Sequence, residues 1–308
     1  MIEVRGLSKT YDEIEAVRNI EFNVEAGEIF GFIGPNGAGK TTTIRILATL
    51  LLPSAGSARI CGHDVVKSPE EVRKVMGYMP DHWGVYPDLR VREYLDFFAA
   101  SYGIPRRERA RAVGDVMELT DLGELSNRLA GALSKGMRQR LCLAKTLIHD
   151  PQLLILDEPA DGLDPRARIE LRELLRELAR MGKTVLISSH ILTELSDLVT
   201  SVGIVEQGEL LMSGPVEEIV ARLSGPRFHL RTTAATLGRA LEILLAQPGV
   251  EAHLLESEEL EFSFHGQEEA VASYVRALAV GGVEVLGLER LRADLETVFM
   301  AVTRGRVQ

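Results

Sequence analysis

Only two of the 308 residues are cysteine, Cys61 and Cys142, and neither lies in a CxxC pair or near histidines at ligand spacing. A disulfide framework and a zinc site are therefore not expected, and both thiols are read as reduced and structural. Long apolar runs are also missing. The longest, around Ile46–Leu52, falls far short of the roughly 18 residues that cross a bilayer. Met1 leads directly into Ile2-Glu3-Val4-Arg5 with no signal-peptide pattern, so a cytosolic chain is expected. Basic charge is scarce: 35 Lys and Arg stand against 45 Asp and Glu, a net charge of −10. That balance argues against broad adhesion to nucleic acid or anionic lipid, though not against a local basic site. There is no internal repeat and no low-complexity tract. With 45% hydrophobic and 26% charged residues, the composition is that of a globular protein of about two domains.

Period-two alternation marks strands at Ile2 and Val4, at Ile20, Phe22 and Val24, and at Ile29–Ile33 before a glycine-rich turn. From Thr41 a helical pattern places Ile44, Leu47, Ala48 and Leu51 on one face and is expected to run to Pro53. Residues 87–149 read as mostly amphipathic helix, a helical subdomain. Strand and helix then alternate through Leu153–Leu156, Pro165–Met181, Thr184–Ser188 and Ile191–Leu198, which predicts a parallel α/β sheet. Punctuation changes near Leu223-Ser224-Gly225-Pro226. Beyond it the order strand, helix, strand, strand, helix, strand, followed by a last helix, predicts a small ferredoxin-like α+β domain over residues 224–308.

The strand ending at Ile33 runs into Gly34-Pro35-Asn36-Gly37-Ala38-Gly39-Lys40-Thr41-Thr42 and then a helix, the setting a phosphate-binding loop requires. Its glycines let backbone N–H groups converge on phosphate oxygens at the positive end of the following helix. Lys40 would neutralise β/γ-phosphate charge, and the Thr41 hydroxyl would ligate Mg²⁺. The buried run Leu153–Leu156 ends in Asp157-Glu158. Asp157 is placed to hold the magnesium shell, and Glu158 to orient or deprotonate the attacking water.

Together with these motifs, further segments resemble the ATP-binding cassette (ABC) family over residues 1–222, in family order. Leu133-Ser134-Lys135-Gly136-Met137 is similar to the family signature, Ala160–Asp164 to its D-loop, and Ser188-Ser189-His190 to its switch histidine. Tyr11 resembles the aromatic residue that stacks on adenine, with Val17 flanking the same ring. The resemblance implies a P-loop core with an antiparallel N-terminal sheet and a helical subdomain. It implies a head-to-tail pair of copies, in which Ser134 and Gly136 contact the γ-phosphate held by the other copy. Asp164 would lie in the same shared site, and His190 would sense the γ-phosphate. Ser134 also reads as a plain helix N-cap.

Two features depart from the family pattern. Asp81, in Gly77-Tyr78-Met79-Pro80-Asp81, stands where Gln is usual; it can ligate magnesium but cannot donate a hydrogen bond, and it also reads as a simple strand end. Lys135 and Met137 replace the usual Gly and Gln of the signature. The tail from Asp294 to Arg304, with Leu295, Val298, Phe299 and Val302, is similar to the C-terminal extension of drug, antibiotic and polysaccharide exporter ATPases; it also reads as an ordinary amphipathic helix. The segment Trp83–Pro87 reads either as part of a groove for a membrane partner or as buried. The resemblance thus implies an ATP- and Mg²⁺-dependent ATPase on the cytoplasmic face of the membrane. It would work as a homodimer with separate integral membrane permease subunits, with no nucleic acid expected. A rival reading, a soluble ABC ATPase acting on nucleic acid or the ribosome, is disfavoured: one cassette is present, and residues between Lys40 and Asp157 contain no sustained heptad arm. A GTP switch is disfavoured because no Asn-Lys-x-Asp motif occurs.

Overall fold

The computed structural model describes all residues except 83, 192–194, 196, 220–225, 256–258, 265–267, 292–298, 300–302 and 304–308. Trp83, the Leu223–Gly225 boundary, residues 192–194 and 196 of the 191–198 segment, and most of the tail stripe, including Leu295, Val298 and Val302, lie outside the described residues. The chain forms two units, residues 1–213 with 303–308, and residues 214–302.

The first unit holds two sheets. The apolar alternation at the N-terminus builds β1 (Ile2–Tyr11) and β2 (Ile14–Val24), which pair antiparallel with Val4 opposite Phe22. They continue through β4 (Ala55–Ile60) and β5 (His63–Asp64) in the order β2-β1-β4-β5. The second sheet runs β10-β9-β3-β8-β7-β6. Its strands are β3 (Ile29–Ile33), β6 (Met76–Met79), β7 (Leu153–Leu156), β8 (Thr184–Ser189), β9 (Ser201–Glu206) and β10 (Glu209–Pro215). Strand β3 is parallel to β8 and β9, and β7 is parallel to β8 and β6. Every residue of β3, β7, β8 and β9 is buried, as expected of a parallel sheet covered on both faces.

The two sheets share one core. Phe22 of the antiparallel sheet stacks on Phe30 and Phe32 of the parallel sheet, with ring centroids 5.4 Å apart in each pair. Ile44 and Leu47 of α1 (Lys40–Leu47) pack into the same cluster. Truncating Phe22 to Ala would cost about 3–5 kcal/mol.

Helix α1 stops well short of Pro53. Thr49 turns into the left-handed region, with φ of 61°, where Arg73 Nε donates to its Oγ1 at 2.7 Å. Leu51, the last residue of the expected stripe, is only partly buried, and its neighbours Leu50 and Leu52 are exposed. After α2 (Pro69–Val75), the helical block contains α3 (Val91–Ser101), α4 (Arg106–Leu119) and α5 (Lys135–Leu147), and α6 (Pro165–Arg180) follows β7.

The second unit has the strand order β12-β13-β11-β14, formed by β11 (Arg227–Thr232), β12 (Val250–Leu254), β13 (Leu260–Phe264) and β14 (Val285–Arg290). Helices α7 (Leu237–Leu245) and α8 (Val271–Val280) complete the βαββαβ order of a ferredoxin-like fold. Phe228, Phe262 and Phe264 stack on one face and pack with Leu244 and Leu278.

Candidate active site

Parallel pairing sets Ile33 beside Ser189, and Leu156 beside both Ile187 and Met79. The C-terminal ends of β3, β6, β7 and β8 therefore open at one edge, where α/β sheets bind ligands. Loop 34–39 leaves β3 there and enters α1. A Cβ on Gly34 would lie 2.2 Å from the Val205 carbonyl oxygen, and one on Gly39 2.4 Å from that of Ala16, so this path requires glycine at both positions. Gly39 also has φ of +96°.

Lys40, only 5% exposed, donates to the carbonyls of Gly34 (2.7 Å) and Pro35 (3.1 Å) and pairs with Glu158 Oε1 at 3.3 Å. Burial lowers its pKa, and the charges of Glu158 and Asp157 work the other way. Asp157 is wholly buried. Its Oδ1 accepts from Ser188 Oγ (2.6 Å) and Thr41 Oγ1 (3.4 Å), while Oδ2 has no hydrogen-bond partner. Burial raises its pKa; the hydrogen bonds from Ser188 and Thr41 oppose the shift, and the charges of Asp81 and Glu158 add to it.

Glu158 has a left-handed backbone, φ 48°, which costs a non-glycine residue about 1–2 kcal/mol. Three contacts hold it there. Its N–H donates to Ser188 Oγ at 2.9 Å, and its Oε2 accepts from the His190 N–H at 3.3 Å and lies 2.8 Å from His190 Nδ1. Lys40, Thr41, Asp157, Glu158 and His190 are thus brought together as anticipated. The motif gives Ser188 no role, yet its hydroxyl bonds Asp157 Oδ1 and the Glu158 N–H; a serine at the end of a buried apolar strand, just before His190, is the signal for it.

Other anticipated residues lie elsewhere. Val17 is core, although it sits beside Gly39. Tyr11 ends β1 and is 42% exposed. Asn36, Ala38 and Thr42 stay with the phosphate loop and the start of α1, with Asn36 exposed, Thr42 partly covered and Ala38 buried. Ser134 caps α5 by accepting from the Met137 N–H at 3.3 Å, and Asp164 caps α6 by accepting from the Ala167 N–H at 3.0 Å. With Gly136 and Gly162 they line a separate groove of about 400 Å³. Lys135 reaches across it: a Cβ on Gly162, whose φ is +62°, would meet Lys135 Nζ at 1.9 Å. The lysine side chain occupies the space that glycine leaves.

Asp81 accepts at Oδ1 from the His82 N–H and lies with Oδ2 against His82 Nδ1, both at 2.8 Å. Partial burial works against its charge, but the bonds from His82 prevail and lower its pKa. Among the described residues, no group of three or more His, Cys, Asp or Glu side chains forms a metal cluster.

The site can hold a polyphosphate on loop amides and Lys40, and can present a carboxylate, Glu158, to water beside it. Comparison with known proteins agrees. The profile described as "ABC transporter" matches residues 17–161. The chain is 36% identical to the daunorubicin resistance ATP-binding protein DrrA3 of Streptomyces coeruleorubidus, over 98% of this chain and 95% of that one. It is 33% identical to the bacitracin transport ATP-binding protein BcrA of Bacillus licheniformis, over 99% and 98%. Among solved structures, an ATP-binding subunit of an ABC transporter superposes with a TM-score of 0.66 at 31% identity, covering 72% of this chain and 92% of that one.

Proposed function

The chain belongs to the ABC transporter family, and on that premise we propose that it drives export of a drug- or antibiotic-like molecule through separate membrane subunits. As an ABC ATPase it binds ATP and hydrolyses it to power a transporter. The observation that carries the exporter reading is the extent of the similarity. It continues past the cassette, through the C-terminal unit, into proteins named for daunorubicin resistance and bacitracin transport.

In the proposed mechanism the loop amides and Lys40 fix the β- and γ-phosphates. Glu158 accepts a proton from water as its oxygen attacks the γ-phosphorus; the bond to the ADP oxygen breaks and phosphate leaves. His190, bonded to Glu158 Oε2, holds that carboxylate toward the γ-phosphate side. The residues suit Mg²⁺: the Thr41 hydroxyl and the buried, unpartnered Asp157 Oδ2 are hard oxygen donors. One carboxylate with nucleotide phosphates is an ordinary magnesium set, so a larger acidic cluster is not required. When bound, the ion would neutralise charge developing on the phosphates. Asp81 is held by His82 at both carboxylate oxygens, so any approach to the ion would compete with those bonds.

Ser134 and Gly136, with no hydrogen bond to loop 34–42, are proposed to meet the γ-phosphate held by a second copy docked head to tail. Tyr86 and Phe97, 52% and 47% exposed, pack edge to face at 5.6 Å and offer an apolar surface for a helix of the membrane subunit. No described helix is long and apolar enough to cross a membrane. By its membership of the family, the chain is proposed to sit on the cytoplasmic face, held by its permease. Purification from membranes tests this reading. An integral membrane protein should co-purify and stimulate ATPase activity, and Tyr86→Asp with Phe97→Asp should release it; ATPase unaffected by any membrane fraction would oppose it.

A further inference from the structure

The end of β1 is braced against the segment that leaves α1. The Thr10 N–H donates to Ser54 Oγ at 3.0 Å, the Ser54 N–H donates to the Ser8 carbonyl at 2.8 Å, and Lys9 Nζ donates to the Leu52 carbonyl at 3.0 Å. On the other strand of the hairpin, Ala16 and Val17 abut Gly39 of the phosphate loop. Both strands are therefore tied to the loop–helix element that holds phosphate. Tyr11, at the tip between these two ties, carries its ring in the open.

The same Lys9 ammonium lies 5.2 Å from the centroid of the Tyr11 ring, within cation–π range. We infer that Lys9 is a positioning residue for the nucleotide base. Its ammonium covers one face of the Tyr11 ring and its bond to Leu52 fixes that ring relative to the phosphate loop, leaving the opposite face for a purine. This deepens the reading in which Tyr11 stacks on adenine, and rests on it. A cation on the far face also draws π density from the ring, which favours stacking of an electron-rich base. The lysine touches no reacting atom, so it acts on nucleotide affinity and not on the hydrolytic step.

The test compares ATP with inorganic tripolyphosphate, which carries the phosphates without a base, by calorimetry on the full chain. Lys9→Met should weaken ATP binding about two- to five-fold, leave tripolyphosphate binding unchanged and raise KM with kcat intact. Lys9→Arg should restore ATP binding, and in a Tyr11→Ala background Lys9→Met should add nothing. Wild-type ATP affinity in Lys9→Met, or equal weakening toward both ligands, would overturn the inference while leaving Tyr11 as the base platform. If Tyr11→Ala itself weakens ATP no more than tripolyphosphate, the stacking reading fails and the role of Lys9 fails with it.

Discussion

The two units treat their polar groups in opposite ways. In the first, a lysine and an aspartate are buried together at the end of a parallel sheet, one aspartate oxygen is left without a partner, and the next residue is held in a left-handed conformation. In the second, the core is a stack of phenylalanines, and a partly buried charge is matched at once: Arg227 Nε donates to Glu261 Oε1 at 2.8 Å. All eight non-glycine residues with positive φ precede residue 208, so among its described residues the second unit has none. Only Glu158 among the eight lies in the candidate site, and there the strained backbone sits beside an unpartnered carboxylate oxygen of Asp157. We propose on this basis that phosphate chemistry belongs to the first unit and that the second serves assembly or support.

The strongest attempt to break this contrast is Lys40→Ala, which should abolish measurable ATP binding while leaving the fold intact by circular dichroism. Next is Phe262→Ala, which should cost the second unit about 3–5 kcal/mol in thermal unfolding and leave ATP affinity as in the wild type. A parallel fall in nucleotide affinity would show the second unit to be part of the site. Ser188→Ala should destabilise by about 1–3 kcal/mol, because Asp157 and the Glu158 N–H each lose a buried partner. It should also lower ATPase rate more than ATP affinity; an unchanged rate would detach Ser188 from the chemistry. The smallest effects are expected at Asp81. Asp81→Ala should raise the Mg²⁺ concentration needed for half-maximal ATPase if its carboxylate leaves His82 for the ion, and Asp81→Gln should keep or raise activity. Superimposable Mg²⁺ curves would confine Asp81 to its bond with His82.

How much of this was readable from sequence depended on whether a property was local. The phosphate loop, Asp157-Glu158 and His190 follow strands whose apolar runs are plain, so their convergence at one sheet edge could be anticipated. The ferredoxin-like order was visible for the same reason: alternation in Phe228–Leu230 and Leu260–Phe264 has a clear period of two. Where helix α1 ends was not, because Thr49 turns left-handed just past it against Arg73, contributed by a different helix. Nor was the seat of Lys135 on Gly162, which joins segments from two elements through a side chain that no motif describes. The pairing of Asp81 with its neighbour His82 depends on a turn geometry that the residue letters do not encode. The roles proposed for Ser134 and Gly136 involve a second copy, so within one chain Ser134 is a helix cap and Gly136 part of a groove wall.

Lys40 and Glu158 are proposed to serve different steps of one reaction within a pair of cassettes. This division is tested most directly by Glu158→Gln with ATP, reading oligomeric size and the chemical state of the bound nucleotide in one sample. A two-copy species that retains unhydrolysed ATP is expected, with turnover lowered about 10²- to 10⁴-fold. Hydrolysis at the wild-type rate, or ATP held by single copies that never pair, would contradict it.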